Sequence, residues 1–384
     1  MNFHTKKFDV STCKSGDLRP ALFTFFAGAG FLDLGFERAG FEVQFVNEFH
    51  KPFLDAYKFA REKMDIEKPK HGYHCGDIAE LLLDDGKFAQ AVKSARHSNG
   101  LVGFIGGPPC PDFSVGGKNR GGEGENGKLS RTFVDVICRF NPDFFVFENV
   151  KGLWRTKKHR AFYDGLKAML IEAGYKLSDG LINSIEYGAP QDRDRIILVG
   201  TKNDMLGDRN ISDQTYPWNV GKKFERAVLG SNCWPDRDTF SIGGNRSKPK
   251  DTPIELTVQY WFERNAVRSH PNAGDCFTPR AALPKFEVID EGDDSKKCFK
   301  RLHRWRYSPT AAYGNNEVHL HPYEARRITV AEAMAIQSLP PEFCLPPNMT
   351  LTDKFKTIGN GVPFLAAYGV ASSVKTWLGS RIAV

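Results

Sequence analysis

Apolar runs alternate with segments of helical spacing through the first half of the chain. Ala21-Leu22-Phe23-Thr24-Phe25-Phe26 is an apolar, aromatic run that breaks at Ala27-Gly28-Ala29-Gly30. The spacing over residues 31–39 predicts a helix stopped by Gly40, a C-cap residue. Residues 42–48 predict a second strand and 52–64 a helix, and a weak third strand ends near Cys75. Leu101-Val102-Gly103-Phe104-Ile105 predicts a buried fourth strand, 133–140 a helix, 144–147 a fifth strand, 162–173 a helix closed by Gly174, and 196–199 a late strand. This rhythm predicts an α/β fold built on a doubly wound, mostly parallel sheet.

After about Lys202 the rhythm breaks. To about Arg306 the chain is rich in Asp, Asn, Pro, Gly, Lys and Arg, with short strand-like pieces such as residues 256–261, and reads as a smaller, loop-rich second domain. Helical order returns at Thr329-Val-Ala-Glu332, a capping box whose helix stops before Pro340-Pro341, and a final helix is expected from Pro363 to about Leu378. The expected division is 1–201 with 326–384 for a first, discontinuous domain and 202–325 for the second.

With 384 residues, 41% hydrophobic and 26% charged, the composition is that of an ordinary globular protein. No apolar stretch approaches the roughly 20 residues that span a bilayer. Residues 1–15 lack the apolar core of a signal peptide. A net charge of +7 permits an anionic partner without demanding one. Eight cysteines with no Cys-x-x-Cys pair predict reduced thiols in a cytoplasmic setting. His71-Gly-Tyr-His74-Cys75 is the one metal-like cluster, and it lacks a second ligand pair, so no metal site is expected.

The candidate chemistry sits at strand ends. The Gly28-Ala-Gly30 loop joins a strand to a helix, where nucleotides bind, but Asp33 in the first helical turn is poorly suited to a pyrophosphate. A phosphate-free nucleoside cofactor fits better, with Glu48 accepting from ribose hydroxyls and Asp77 from an adenine amino group; the alternative is a tight turn plus two surface acids. Gly106-Gly107-Pro108-Pro109-Cys110-Pro111-Asp112-Phe113-Ser114 holds one cysteine in a rigid turn past the fourth strand, as a nucleophile or as a buried thiol. The stretch 115–128 reads as a glycine-rich lid, or as a solvated loop, whose Lys118, Arg120 and Lys128 could meet phosphates. Glu148 ends an apolar strand, where burial should raise its pKa. Alternation points Arg193 and Arg195 to one side, toward a carbonyl oxygen and a phosphate or into a surface cluster with Asp192 and Asp194. In a parallel sheet Gly28, Glu48, Asp77, Cys110 and Glu148 would share one edge.

In this order these motifs resemble the DNA (cytosine-5)-methyltransferases of bacterial restriction–modification type. They are Phe26-Ala-Gly-Ala-Gly30, Glu48, Asp77, Pro109-Cys110 with Ser114, Glu148-Asn149-Val150, Gln191-x-Arg193-x-Arg195, Arg326-Arg327-Ile-Thr-Val-Ala-Glu332 with Gln337, and Ile358-Gly-Asn360-Gly-Val-Pro363. The resemblance implies a Rossmann-like class I methyltransferase fold and S-adenosyl-L-methionine as methyl donor. It further implies C5 of a flipped-out cytosine in double-stranded DNA as acceptor and residues 202–325 as target-recognition domain. By the same resemblance the Cys110 thiolate attacks C6, Glu148 contacts N3 and the exocyclic amine, and Arg195 contacts O2. Arg193 and Ser114 lie near a backbone phosphate. Phe26, Gly28, Gly30, Phe31, Leu32, Glu48, Phe49, Asp77, Ile78, Pro109, Leu129, Asn360 and Gly361 bind the cofactor. A compact bacterial or phage enzyme acting as a monomer, with a cognate restriction endonuclease encoded nearby, is implied. A tRNA cytosine-5 methyltransferase of the same fold and an inactive DNA-binding regulator are the competing readings; a nicotinamide dehydrogenase is disfavoured by Asp33 and the cysteine turn.

Overall fold

The computed structural model describes residues 19–109, 125–203, 216–279, 283–311, 313 and 317–382. Its centre is a seven-stranded sheet in the order β3-β2-β1-β4-β5-β7-β6. β1 (Ala21–Phe25), β2 (Glu42–Asn47), β3 (Tyr73–His74), β4 (Val102–Gly106) and β5 (Phe144–Val150) pair in parallel. β7 (Asp194–Lys202) runs antiparallel to both its neighbours, β5 and β6 (Tyr175–Asn183). The helices are α1 (Phe31–Arg38), α2 (Lys51–Lys63), α3 (Glu80–Leu83), α4 (Lys87–Asn99), α5 (Glu125–Phe140), α6 (Lys157–Glu172), α7 (Val258–Arg264), α8 (Leu283–Glu287), α9 (Val330–Ile336), α10 (Leu351–Asn360) and α11 (Phe364–Ile382). None of the helices among the described residues is long and apolar enough to cross a membrane.

Every residue of β1 and β4 is buried, which is why both read as unbroken apolar runs: helices cover both faces. One face is a phenylalanine cluster, with Phe25 and Phe104 ring centroids 5.2 Å apart and Phe45 and Phe88 5.0 Å apart. Full burial of each such ring contributes about 1.5–3 kcal/mol. On the other face α11 returns from the far end of the chain to lie on α1. Gly35 permits that approach, because a Cβ there would sit 2.6 Å from the Tyr368 backbone nitrogen. Apolar residues of the 216–311 segment, among them Tyr216, Val258, Trp261 and Leu302, join the same core as α9–α11.

The structure corrects several sequence expectations. Residues 256–261 form no strand. The Thr257 side chain accepts from the Tyr260 N–H and starts α7, whose Val258, Trp261 and Phe262 turn inward at helical spacing. α5 begins at Glu125, inside the stretch expected to be loop. β6, α4 and α10 were not foreseen. β6 is a half-exposed edge strand carrying Lys176, Ser178 and Asp179, so no apolar run marks it. α4 buries only Phe88, Val92 and Ala95. The Thr329–Glu332 capping box is present as expected, with both of its hydrogen bonds formed.

Candidate active site

The strand order reverses between β1 and β4, and the loops leaving the carboxyl ends of β1, β2, β4 and β5 meet there. After β1, Phe26, Gly28 and Gly30 all take positive φ (53°, 57° and 81°), a turn that two glycines make affordable. The Gly28 N–H donates to Glu48 Oε2 at 2.8 Å, and the His50 N–H donates to Oε1 at 2.8 Å. Glu48 is 8% exposed, and burial raises its pKa against these two bonds. This geometry replaces the sequence argument from Asp33. The Asp33 carboxyl is buried beneath the loop, not aimed at its mouth. A phosphate is disfavoured because the Gly28 N–H already serves a carboxylate and the Gly30 N–H donates to the Ala27 carbonyl at 2.8 Å.

Phe49, beside Glu48, is 72% exposed, a large apolar ring left open to solvent at this edge. Asp77 Oδ1 accepts from the Ala79 N–H at 2.9 Å, and Ile78 is buried behind it. Phe26 meets Phe133 edge-on at 6.0 Å, and Leu129 packs on the same cluster. Phe31 and Leu32 are buried in the first turn of α1. Gly361 faces the Phe31 ring so closely that a Cβ would lie 2.2 Å from it, which brings the end of α10, with exposed Asn360, onto the β1 loop. Thr357 on α10 was not singled out from the sequence. Its buried Oγ1 has no hydrogen-bond partner and lies 3.7 Å from where a Cβ on Gly28 would stand. A free hydroxyl, two strand-end carboxylates and an exposed ring around a phosphate-averse turn fit a nucleoside bearing a polar, phosphate-free tail. No group of three or more metal-ligating side chains occurs among the described residues, and His74 is engaged with Asn47 and Glu80.

Cys110, Pro111, Asp112, Ser114, Lys118 and Arg120 lie outside the described residues. The turn leading to Cys110 is described: Pro108 is buried and Pro109 exposed. Gly107 lies over Glu148, and a Cβ there would stand 2.5 Å from Glu148 Oε2. Glu148 is 8% exposed, and burial raises its pKa against the opposing pull of Arg195 and Arg193. Arg195 Nε is 2.7 Å from Glu148 Oε1. The register explains the meeting: Glu148 lies opposite Ile197, so Arg195, two residues earlier, is its diagonal neighbour on the same face.

Arg193 is on that side too, but 1% exposed. Its guanidinium donates to the carbonyls of Ala311 at 2.9 Å and Gly359 at 2.8 Å. Those bonds tie the β7 edge to the end of α10, a job no local pattern announces. Neither arginine joins the surface cluster with Asp192 and Asp194 that was the alternative: Asp194 pairs instead with Lys151 and Arg226, and Arg195 pairs with Glu148. Gly107 and Gln191 are the other contributors that sequence reasoning underrated. Buried Gln191 accepts from the Ala311 N–H at 3.1 Å and braces the same junction.

Gly107→Ala is expected to lower turnover about 100-fold, because the added methyl displaces a carboxyl that Arg195 holds; steady-state rates against wild type read the loss.

The family model described as C-5 cytosine-specific DNA methylase matches residues 21–376. Over 359 residues the chain is 58% identical to the Type II methyltransferase M.NmeDI of Neisseria meningitidis serogroup C, covering 93% of this chain and 84% of that protein. It is 31% identical to M.FnuDI of Fusobacterium nucleatum, covering 93% and 94%. Among solved structures, Spodoptera frugiperda DNMT2 superposes with a TM-score of 0.55 at 15% identity, covering 94% of this chain and 99% of that one, a likeness of fold. The sheet with its reversed seventh strand, the Glu148–Arg195 pair and a family match across nearly the whole chain lead to one conclusion: the protein belongs to the C-5 cytosine-specific DNA methylases.

Proposed function

We propose that the chain transfers a methyl group from S-adenosyl-L-methionine to C5 of a cytosine flipped out of a specific double-stranded DNA sequence, through a covalent bond between Cys110 and C6. The observation that carries this reading is buried Glu148 paired with partly buried Arg195, 2.7 Å apart, beneath the turn that leads into Cys110. C5 of cytosine is a weak nucleophile. Addition of the Cys110 thiolate at C6 gives C5 enamine character. Glu148, its proton favoured by burial, donates to N3 and accepts from the exocyclic amine as electrons move into the ring. Arg195, fixed by Glu148, donates to O2. When bound, S-adenosylmethionine supplies an electrophilic methyl group for C5. Loss of the C5 proton to water, return of the N3 proton to Glu148 and expulsion of the Cys110 thiolate restore the neutral aromatic ring.

Phe26, Gly28, Gly30, Glu48, Phe49, Asp77, Ile78, Pro109, Leu129, Asn360 and Gly361 hold the cofactor, with Phe31 and Leu32 shaping the floor beneath it. Arg193 acts by positioning the α10 end, and Ser114 serves a backbone phosphate. Residues 1–201 with 326–384 form the catalytic domain, and 202–325 read the target. Flipping the base costs a few kcal/mol, about what clamping between two such domains offsets. The protein works as a cytoplasmic monomer beside a cognate restriction endonuclease encoded nearby.

A duplex carrying 5-fluorocytosine at the target has no C5 proton to lose. Incubation with S-adenosylmethionine is expected to leave an SDS-resistant protein–DNA adduct at Cys110. Absence of that adduct, with methyl transfer to the ordinary duplex intact, would overturn the covalent route. Bisulfite sequencing of DNA from an expressing host identifies the target.

A further inference from the structure

Arg61 on α2 is 2% exposed and has no part in the chemistry above. A buried guanidinium costs several kcal/mol unless it is paired and hydrogen-bonded, so its surroundings matter. Its Nη2 donates to the Gly30 carbonyl at 2.8 Å and to Glu37 Oε2 at 2.9 Å, and its Nη1 donates to the Ala29 carbonyl at 3.3 Å. The guanidinium lies 4.1 Å from the centre of the Tyr57 ring. Gly30 rests directly on this stack: a Cβ there would be 2.4 Å from the Tyr57 ring and 2.6 Å from Arg61 Nη1. Buried Asp33 supplies a second carboxyl to the cluster, and although burial works against the charge, the pull of Glu37 and Asp33 outweighs it and holds the proton on Arg61.

Of the three positive-φ residues in the β1 turn only Phe26 is not glycine, so the conformation at Phe26 has to be held by its surroundings. Glu48 holds the turn's upper side through the Gly28 N–H, and Arg61 holds the carbonyls on its lower side.

We propose that Arg61 is a positioning residue for the cofactor: its fork fixes the Ala29 and Gly30 carbonyls from below, and with Glu37 as anchor it sets the turn that presents Gly28 and Phe26 to the ligand. Apolar packing between α1 and α2 gives no reason for a charge at this place. The inference rests on the S-adenosylmethionine reading of the β1 turn.

The test is Arg61→Lys in the full chain. Lysine keeps the charge opposite Glu37 but lacks the planar fork that reaches two carbonyls. The Kd for S-adenosylhomocysteine, measured by calorimetry, and the KM for S-adenosylmethionine are expected to rise about tenfold. kcat at saturating cofactor and the Kd for the target duplex should stay within twofold. Glu37→Gln leaves Arg61 in place, loosens its anchor and should raise the same two cofactor constants about threefold. A folded Arg61→Lys protein with unchanged cofactor affinity overturns the proposal, as does a parallel loss of cofactor and DNA affinity, which marks a merely structural part. If Arg61→Lys fails to fold, an unchanged Glu37→Gln protein overturns it. Failure of the wild-type chain to bind S-adenosylhomocysteine would instead sink the cofactor reading itself.

Discussion

Cys110→Ala is expected to cut methyl transfer by about 10⁴-fold or more, the scale on which loss of a covalent nucleophile acts. Specific binding to the target duplex should remain within a few-fold of wild type. On the proposed route the two quantities separate, because the thiolate would bond only to a cytosine that has left the helix, whereas the contacts that find the target would be made elsewhere. A thiol at its ordinary pKa is only a few per cent ionised at neutral pH. At the edge where β4 ends, Arg195 adds positive charge, which a protonated Glu148 leaves uncancelled. Single-turnover transfer of a labelled methyl group, beside a DNA titration, reads both numbers. Turnover retained in the alanine variant would eliminate the addition–elimination route.

Glu148→Gln should lower kcat by about 10²–10³-fold, the effect of removing one preorganised proton donor from a dry site. An amide can accept from the exocyclic amine, but it has no acidic proton for N3. The pH profile carries the sign. Burial raises the Glu148 pKa, so its proton persists to higher pH than on an ordinary glutamate and is lost as pH climbs through the raised value. The wild-type rate should therefore fall on the alkaline side of this titration, and the glutamine variant should lose that limb. Arg195→Met removes the stronger of the two cations that oppose the shift, leaving Arg193. The limb then moves to higher pH, on a lower rate. A glutamine variant with wild-type kcat, or with the alkaline limb unchanged, would remove Glu148 from the proton inventory.

The strand ends were legible because a strand buried on both faces is written as an unbroken apolar run. Whatever polar residue follows it, Glu48 after β2 or Glu148 near the end of β5, stands out against that background. The glycines at 28 and 30 were legible because few other residues tolerate such a turn. Asp33 misled for the opposite reason. A carboxylate in a first helical turn carries no sign of whether it faces a ligand or the core, and its burial beside Thr24, Tyr57 and Arg61 is a matter of tertiary packing. Arg193 misled likewise: alternation gave its side of the strand, while its partners, the carbonyls of Ala311 and Gly359, come from more than a hundred residues away.

By itself the sequence determined the α/β architecture, the order of the chemistry-bearing loops and the identity of the groups at their tips. These depend on local burial and turn chemistry, which neighbouring residues record. Only the tertiary structure decided which of those groups meet. Arg195 opens its strand, and in a wholly parallel sheet the opening of a strand lies at the edge away from Glu148. Because β7 runs antiparallel to β5, Arg195 arrives at the same edge, 2.7 Å from the carboxylate. Strand direction is fixed by long-range pairing and by the connections on either side, and no residue of β7 encodes it alone.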